Sequence, residues 1–463
     1  MNSAMQRLSL LLVSAMVAGC NLAPTYERPE ASVPEAWPEG AAYLPANAAP
    51  PVLTYQQVFQ NPALQALIAR ALTQNQDLAV ALANIEVASA QYRGQRALLL
   101  PPIDLTAAST RSQANDNITS NQSVQIGAAA YELDLYGRLR NLGYAAQQRY
   151  LASETAARAV RLTLIDGIAE TYAVLAADRT LLAIAAQTQA SAQKTVELTE
   201  ARLNGGVASR GDLSAAQTVL QQALSDLAVQ TTLVAQDRNA LELLVGGPVA
   251  DDELPASIDS LMGVFAEVPA GLDSQVLLAR PDVAQAEHQL QAAYAQIGVA
   301  RAAFFPTISL TALAGSASPE LTDLFSAGSF TWRGGLGASL PLFRGGATRA
   351  ALAVAQAQRE AALAQYQKAI QTAFREVADA LARRGTIKDQ LTAQAALVAA
   401  ANASLEQSTA RYQAGIDPYL NTLVAQRTLY GARRSHAAAQ LAEVRNLAVL
   451  YKTLGADPLV VTP

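Results

Sequence analysis

Two spans of the chain, residues 137–247 and 342–457, carry a single proline between them, Pro418. Proline removes a backbone donor and clashes with the preceding turn, so spans dominated by Ala, Leu, Gln, Glu and Arg without it permit very long helices. Their apolar positions fall at heptad spacing. Leu213, Leu220, Leu227, Val234 and Leu241 recur at sevens, with Ala216, Ala223 and Leu244 at the companion positions and Gln230 and Asp237 as the exceptions. Ile165, Ile168, Tyr172, Leu175 and Leu182 keep the spacing in the first span, as do Ile370, Phe374, Val377 and Leu381 in the second. Such seams predict antiparallel coiled-coil pairs. Each span has one break, at Asn204-Gly205-Gly206-Val207 or at Gln413-Ala414-Gly415-Ile416-Asp417-Pro418, where glycine supplies the left-handed conformation that ends a helix. Read as one helix at roughly 1.5 Å per residue, residues 137–203 run about 100 Å, too long for an ordinary globular domain.

Period-two alternation follows two of the prolines. After Pro101, Ile103, Leu105 and Ala107 alternate with Asp104, Thr106 and Ala108; after Pro306, Ile308, Leu310, Ala312 and Ala314 alternate with Ser309, Thr311 and Leu313. This predicts strands. Returning strands carry Val124, Ile126 and Ala128 in one case and Phe330, Trp332, Gly334 and Leu336 in the other, across polar loops expected around 111–123 and 315–323. A helical segment is expected from about residue 62 through 99.

The two halves are copies. At an offset of 205 residues Arg96 meets Arg301, Pro101 meets Pro306 and Ile103 meets Ile308; further on, at 209, Ala201-Arg202-Leu203 meets Ala410-Arg411-Tyr412, Gly206 meets Gly415 and Gly246 meets Gly455. A tandem structural repeat of about 205 residues, with a few loop insertions, accounts for both offsets. Four strands cannot close a barrel, and open edges in lipid leave backbone groups unsatisfied. Chains must then share one. Two would give eight strands with a filled interior, three would give twelve and a lumen. Phe304, Phe305 and Phe343 at one hairpin end and Phe325, Phe330 and Trp332 at the other suit the aromatic girdles of a membrane barrel.

Composition changes the picture in three ways. Hydrophobic residues make up 51% of the chain but aromatics only 5%, so alanine and leucine carry the apolar share, which suits close helix packing rather than a sandwich core. A net charge of -5 with no basic block argues against nucleic acid. The one cysteine, Cys20, excludes an internal disulfide or cysteine metal site. It follows Arg7, the apolar run from Leu8 to Val17, and Val17-Ala18-Gly19, which reads as a secretory signal cleaved before a cysteine that becomes lipidated. No run of eighteen apolar residues follows, so any membrane crossing falls to strands. Eight of the twenty prolines lie between 21 and 62, predicting an extended arm that lies on another surface. Enzyme signatures are absent, and His288 and His436 stand alone on helices, expected to be solvated or tube-lining rather than ligands. Arg344-Gly345-Gly346-Ala347-Thr348-Arg349 reads as a bend from strand into helix rather than a phosphate cradle.

Several stretches together resemble the outer-membrane efflux lipoproteins, the TolC-type outer-membrane factors. They are Cys20-Asn21-Leu22-Ala23-Pro24-Thr25-Tyr26-Glu27-Arg28-Pro29, Tyr131-Glu132-Leu133-Asp134-Leu135-Tyr136-Gly137-Arg138-Leu139-Arg140, Arg280-Pro281-Asp282, Ile297-Gly298-Val299-Ala300-Arg301-Ala302-Ala303-Phe304-Phe305-Pro306 and Tyr412-Gln413-Ala414-Gly415-Ile416-Asp417-Pro418-Tyr419-Leu420. The resemblance covers the chain from Cys20 to about Gly455. It implies an α+β membrane protein, the tandem-repeat protomer of a homotrimer whose twelve-stranded transmembrane β-barrel continues into a twelve-helix periplasmic α-barrel. The implied function is the passive exit duct of a tripartite efflux system, served by a periplasmic adaptor and an inner-membrane transporter, usually of the resistance-nodulation-division class. Type I protein secretion, and a lipid-anchored periplasmic coiled-coil structural protein or stalk, are the competing readings.

The resemblance also implies site residues. Cys20 carries the lipid, with Asn21 after it favouring the outer membrane. Asp417 sits at the periplasmic gate beside Arg411 and Tyr412, and the adaptor meets tips formed by Leu203, Gly206, Val207, Ser209 and Asp212 and by Gly415, Ile416 and Leu420. Three Asp417 carboxylates around a narrow axis would repel unless paired, with Arg411 or a neighbouring chain's base; Asp417-Pro418 also reads as a plain helix cap. Where some relatives carry further aspartates this chain has Asn421 and Val424, a departure from a second acidic ring. No metal and no cofactor beyond the lipid is expected. The organisation expected is a signal at 1–19, a lipid-anchored arm at 20–62, a first repeat at 63–247 with hairpin 102–136 and tip 203–212, an acidic solvated linker at 248–281, a second repeat at 282–456 with hairpin 305–341 and tip 412–420, and a tail at 457–463.

Overall fold

A computed structural model describes residues 21–30, 32–34, 36–43, 54–115, 117–266 and 274–454. Cys20, the signal, Gly455 and the tail lie outside the described residues. The short helix α1 (Tyr55–Val58) opens on a capping box of Thr54 and Gln57, and α2 (Pro62–Gln74) on Asn61, whose side chain accepts from the Leu64 amide, with Pro62 at the first position. The helical segment expected from 62 to 99 consists of two helices. Asn75 takes over the backbone there: its Oδ1 accepts from the Leu78 amide at 3.0 Å and its Nδ2 donates to the Leu244 carbonyl at 2.9 Å, and α3 (Gln76–Ala97) restarts beyond it.

The strands are β1 (Asp104–Ala114) and β2 (Asn117–Leu133); α4 (Arg138–Asn204) and α5 (Arg210–Val245) follow. The second copy repeats the order with α6 (Pro281–Ala302), β3 (Thr307–Ser318), β4 (Phe330–Ser339), α7 (Ala347–Gln413) and α8 (Tyr419–Leu454). The long helices match pairwise, α4 and α7 at 67 residues each, α5 and α8 at 36 each. No described helix is long and apolar enough to cross a membrane. By contacts the chain divides into two compact units, one of residues up to 30 with 83–155 and 284–368, the other of 31–82, 156–283 and 369 onward.

The first unit holds one sheet in the order β1-β2-β3-β4, antiparallel throughout. The strands outrun the apolar alternation. Residues 111–114 and 117–123, expected as loop, pair from Arg111 with Ser120 to Ala114 with Asn117, and β3 continues to Ser318. Polar side chains support the extension across the pair, Ser112 and Thr119 hydroxyls lying 2.8 Å apart. Residues of the arm lie along α6 in this unit: Glu287 accepts from the Tyr26 hydroxyl at 3.0 Å and from both Arg28 nitrogens at 2.9 Å, and a Cβ at Gly298 would sit 2.8 Å from the Ala23 Cβ.

The second unit carries the largest core, where Phe59, Leu64, Leu67, Ile68, Ile165, Ile168, Leu175 and Leu241 are fully buried. Each such side chain contributes about 1.5–3 kcal/mol relative to exposure. The linker expected to be solvated joins this core instead. Val249, Ile258, Leu261 and Phe265 are buried within it, the Phe59 and Phe265 rings meet edge to face at 5.1 Å, and Asp251, Asp252, Asp259 and Ser260 are among the residues that stay outside. Two short 3-10 turns, Asp251–Glu253 and Ile258–Leu261, aim these apolar residues inward. Here too the arm finds its surface, Trp37 stacking on Phe374 at 4.9 Å and the Ala42 carbonyl lying where a Cβ at Gly385 would be 2.1 Å away.

The seam between α4 and α5 keeps its two exceptions. Gln230 is buried, and Asp237 hydrogen-bonds to Asp178. Burial, then the hydrogen bond and charge of Asp178, push the Asp237 carboxyl up to about 7. The folded protein thus holds a proton that the unfolded chain releases near 3.8, so the pair's stabilisation is whole at low pH and is lost as pH rises from there through about 7. Asp237→Asn keeps a hydrogen-bonding side chain without the charge. We expect it to raise the thermal midpoint of the detergent-solubilised protein most at pH 8, by less at pH 5 and hardly at all at about pH 3.5, measured by differential scanning fluorimetry.

Candidate functional site

The helix tips follow from one local rule applied twice. In the first copy the Val207 amide bonds back to the Arg202 carbonyl and Gly206 to Leu203, both at 2.9 Å; in the second Ile416 bonds to Arg411 at 2.9 Å and Gly415 to Tyr412 at 3.0 Å. Gly206 and Gly415 both sit at φ +75. This is the Schellman helix end, which ordinarily tucks the apolar residue after the glycine against the last turn. Neither tip does so. Val207 is 70% exposed, Ile416 63% and Leu420 61%, so each tip presents apolar surface outward.

The next helix starts differently in each copy. Ser209 caps α5 through a reciprocal box with Asp212, its Oγ accepting from the Asp212 amide at 3.0 Å and Asp212 accepting from the Ser209 amide at 3.0 Å. Asp417, two residues before α8, instead accepts from Arg411 Nε at 2.6 Å and Nη2 at 3.1 Å. The Arg411 guanidinium holds the Asp417 carboxyl below its ordinary range.

The two tips are joined by groups that the repeat pattern did not reveal. Arg202, the counterpart of Arg411, pairs with no acid among the described residues; its Nη1 donates to the Tyr412 carbonyl at 3.2 Å and its guanidinium lies 4.6 Å from the Tyr412 ring centroid. Leu203 is half-buried beside it. Tyr412 and Tyr419 are buried with rings 5.4 Å apart, in a cluster with Ala192, Val196, Ala216 and Leu220. Higher on the same helices α8 binds both helices of the first copy. The Tyr430 hydroxyl donates to Asp226 at 2.7 Å, Arg433 donates to Gln187 at 2.8 Å, and Arg434 lies over the Tyr430 ring. These groups line a groove of about 820 Å³ with an apolar floor that includes Val219, Leu405 and Leu423. Neither histidine joins the site: His288 contacts Gln148 Oε1 through Nδ1 at 2.7 Å, and burial pushes its pKa down.

In the first unit both outer strands, β1 and β4, have an unpaired edge within the chain. A duplicated helix, hairpin and helix-pair order with an unclosed antiparallel sheet and apolar helix tips is the arrangement of a channel-forming chain. The model of the family described as "Outer membrane efflux protein" matches residues 67–247 and 272–456. The chain belongs to the outer membrane efflux protein family, in which it is an outer-membrane channel component of an efflux system that reaches into the periplasm. It is 42% identical over 460 residues to the toluene efflux pump outer membrane protein TtgC of Pseudomonas putida, covering 97% of this chain and 95% of that one. With the outer membrane protein OprJ of Pseudomonas aeruginosa it shares 38% identity over 91% of its own length and 90% of the relative's. The open state of the Neisseria gonorrhoeae MtrE outer membrane channel superposes with a TM-score of 0.84 at 36% identity, covering 95% of this chain and 98% of that one.

Arg202→Ala removes the stacked cation and the charged donor from Tyr412 together. We expect a loss of about 1–2 kcal/mol from the tip cluster, seen as faster amide hydrogen exchange at 192–220 and 408–425 with exchange elsewhere unchanged.

Proposed function

We propose that three copies of this chain close a twelve-stranded barrel in the outer membrane and form a passive exit duct, with no catalysis of its own. The unclosed four-stranded sheet carries this reading, because edges β1 and β4 would each strand a row of backbone donors and acceptors in lipid. An identical neighbour satisfies both at once. The apolar tips, around Val207, Ile416 and Leu420 with Gly206, Ser209, Asp212 and Gly415 shaping them, are the surface that a periplasmic adaptor meets, and the adaptor links the duct to an inner-membrane transporter of the resistance-nodulation-division class. Cys20 carries an acyl anchor such as palmitate in the outer-membrane lipid. The relatives named for toluene and solvent efflux favour small apolar cargo.

Asp417 is the gate residue in this reading, with Arg411 as its partner and Tyr412 tying the moving tip to its neighbour. The tip is held shut by bonds between the copies, Tyr430 to Asp226 and Arg433 to Gln187, and opens when α7 and α8 swing away. The lowered Asp417 pKa means that the pair with Arg411 is complete above the ordinary carboxylate range and is lost only as pH falls through the depressed value. Conductance from about pH 6 to 8 is therefore expected to be flat.

Planar-bilayer recording tests the gate. Asp417→Ala, and separately Tyr430→Phe, are expected to raise open probability several-fold over the wild type; no increase from either would remove the gate assignment. Cross-linking of the purified protein is expected to stop at a trimer. A monomer that stays soluble without detergent would sink the duct itself.

A further inference from the structure

Where the sheet gives way to the long helices, the first unit encloses a cavity of about 210 Å³, lined by Glu132, Asp134, Tyr136, Arg138, Phe305 and Arg344 among others. Its two carboxylates are already matched. Glu132 accepts from Arg138 Nε at 2.8 Å and Nη2 at 2.5 Å, and Asp134 accepts from Arg140 Nε at 3.2 Å and from the Leu139 and Arg140 amides. Arg344 is not. Its side chain makes no hydrogen bond or ion pair with any described residue, so the cavity is left with one uncompensated positive charge at its rim.

The surroundings say what that charge faces. Leu342 and Phe343, directly before it, are 90% and 89% exposed, and they follow the end of β4 at Ser339. Two bare apolar side chains at the helix-side end of a membrane strand lie at the boundary of the acyl chains, and the arginine one residue on reaches headgroup depth, as snorkelling cations do. The Tyr136 and Phe305 rings, stacked 4.8 Å apart, line the wall. A planar guanidinium binds phosphate through two parallel hydrogen bonds.

We propose that this cavity is a binding site for a glycerophospholipid of the periplasmic leaflet, whose phosphodiester pairs with Arg344 while its acyl chains lie against Leu342 and Phe343. The assignment rests on the sheet being barrel wall. It gives the duct a fixed lipid contact at the level where the barrel passes into helices.

Native mass spectrometry of the trimer, purified in mild detergent and titrated with phosphatidylglycerol in mixed micelles, tests it. Arg344→Ala is expected to weaken lipid retention about tenfold, Arg344→Lys by less, and Arg349→Ala, five residues on, not at all; millimolar inorganic phosphate is expected not to displace the lipid. Equal retention by wild type and Arg344→Ala overturns the assignment, as does an equal loss in Arg344→Ala and Arg349→Ala, or displacement by inorganic phosphate. If Arg344→Ala weakens the trimer while its lipid count stays the same, the occupant is a second copy of the chain and the assignment falls. A wild type that is no trimer removes the barrel reading together with it.

Discussion

Backbone hydrogen bonding inside lipid is the constraint from which the rest descends. Helices satisfy their own backbone, but a sheet does so only when it closes, and this chain supplies four strands with two free edges. Its sequence is arranged around that incompleteness. Polar residues such as Ser112 and Thr119 extend the hairpins past the apolar alternation, and glycines 334, 335 and 337 keep β4 thin. The protomer can afford no bulky sandwich core, and the low aromatic content follows. In the proposed barrel closure comes from outside the chain, and a duplicated protomer would give each outer strand a counterpart of similar pattern to meet.

Duplication fixed geometry and released chemistry. Both helix pairs end in the same Schellman turn with glycine at the same φ, because backbone satisfaction at a helix end admits few solutions. Side chains around the turns then diverged. Ser209 caps α5 locally, whereas Asp417 is drawn to Arg411; Arg411 serves its own tip, whereas Arg202 reaches to Tyr412 of the other copy. Two identical turns thereby became one self-contained tip and one that is tied to its neighbour.

The sequence made the repeat, the long helices, their breaks and the strand pairs legible, since each rests on local rules: proline exclusion, heptads, period two, and glycine at positive φ. What it hid depends on residues far apart in the chain. The linker read as solvent because Asp251, Asp252 and Glu253 dominate its start, while Ile258, Leu261 and Phe265 pack on Phe59 and Tyr172 through turns that no periodicity announces. The reason for the break within the helical segment from 62 to 99 was hidden because Asn75 is unremarkable until Leu244 stands beside it. Of the candidate site, the tips and Asp417 were visible in the motif around Gly415. Arg202, Asp226 and Tyr430 were not, because each acts across the two copies.

That distribution of bonds bears on how the proposed gate would move. The Arg411 and Asp417 pair lies within one tip and makes no bond between the copies, so in the proposed gate it acts by neutralising the arginine charge that each tip would carry toward the axis. The bonds that resist separation are the ones between copies: Tyr430 with Asp226, Arg433 with Gln187, and Arg202 with Tyr412. All are hydrogen bonds at partly exposed positions, each contributing about 0.5–1.5 kcal/mol net, more where an arginine donates. In the proposed trimer, three such bonds in each chain would hold a closed state firmly, yet no single one would be costly to break. An adaptor that covers the apolar tips could offset that sum by burying Val207, Ile416 and Leu420, at roughly 1.5–3 kcal/mol for each side chain fully covered. On this reckoning the energy for opening comes from docking at the tips.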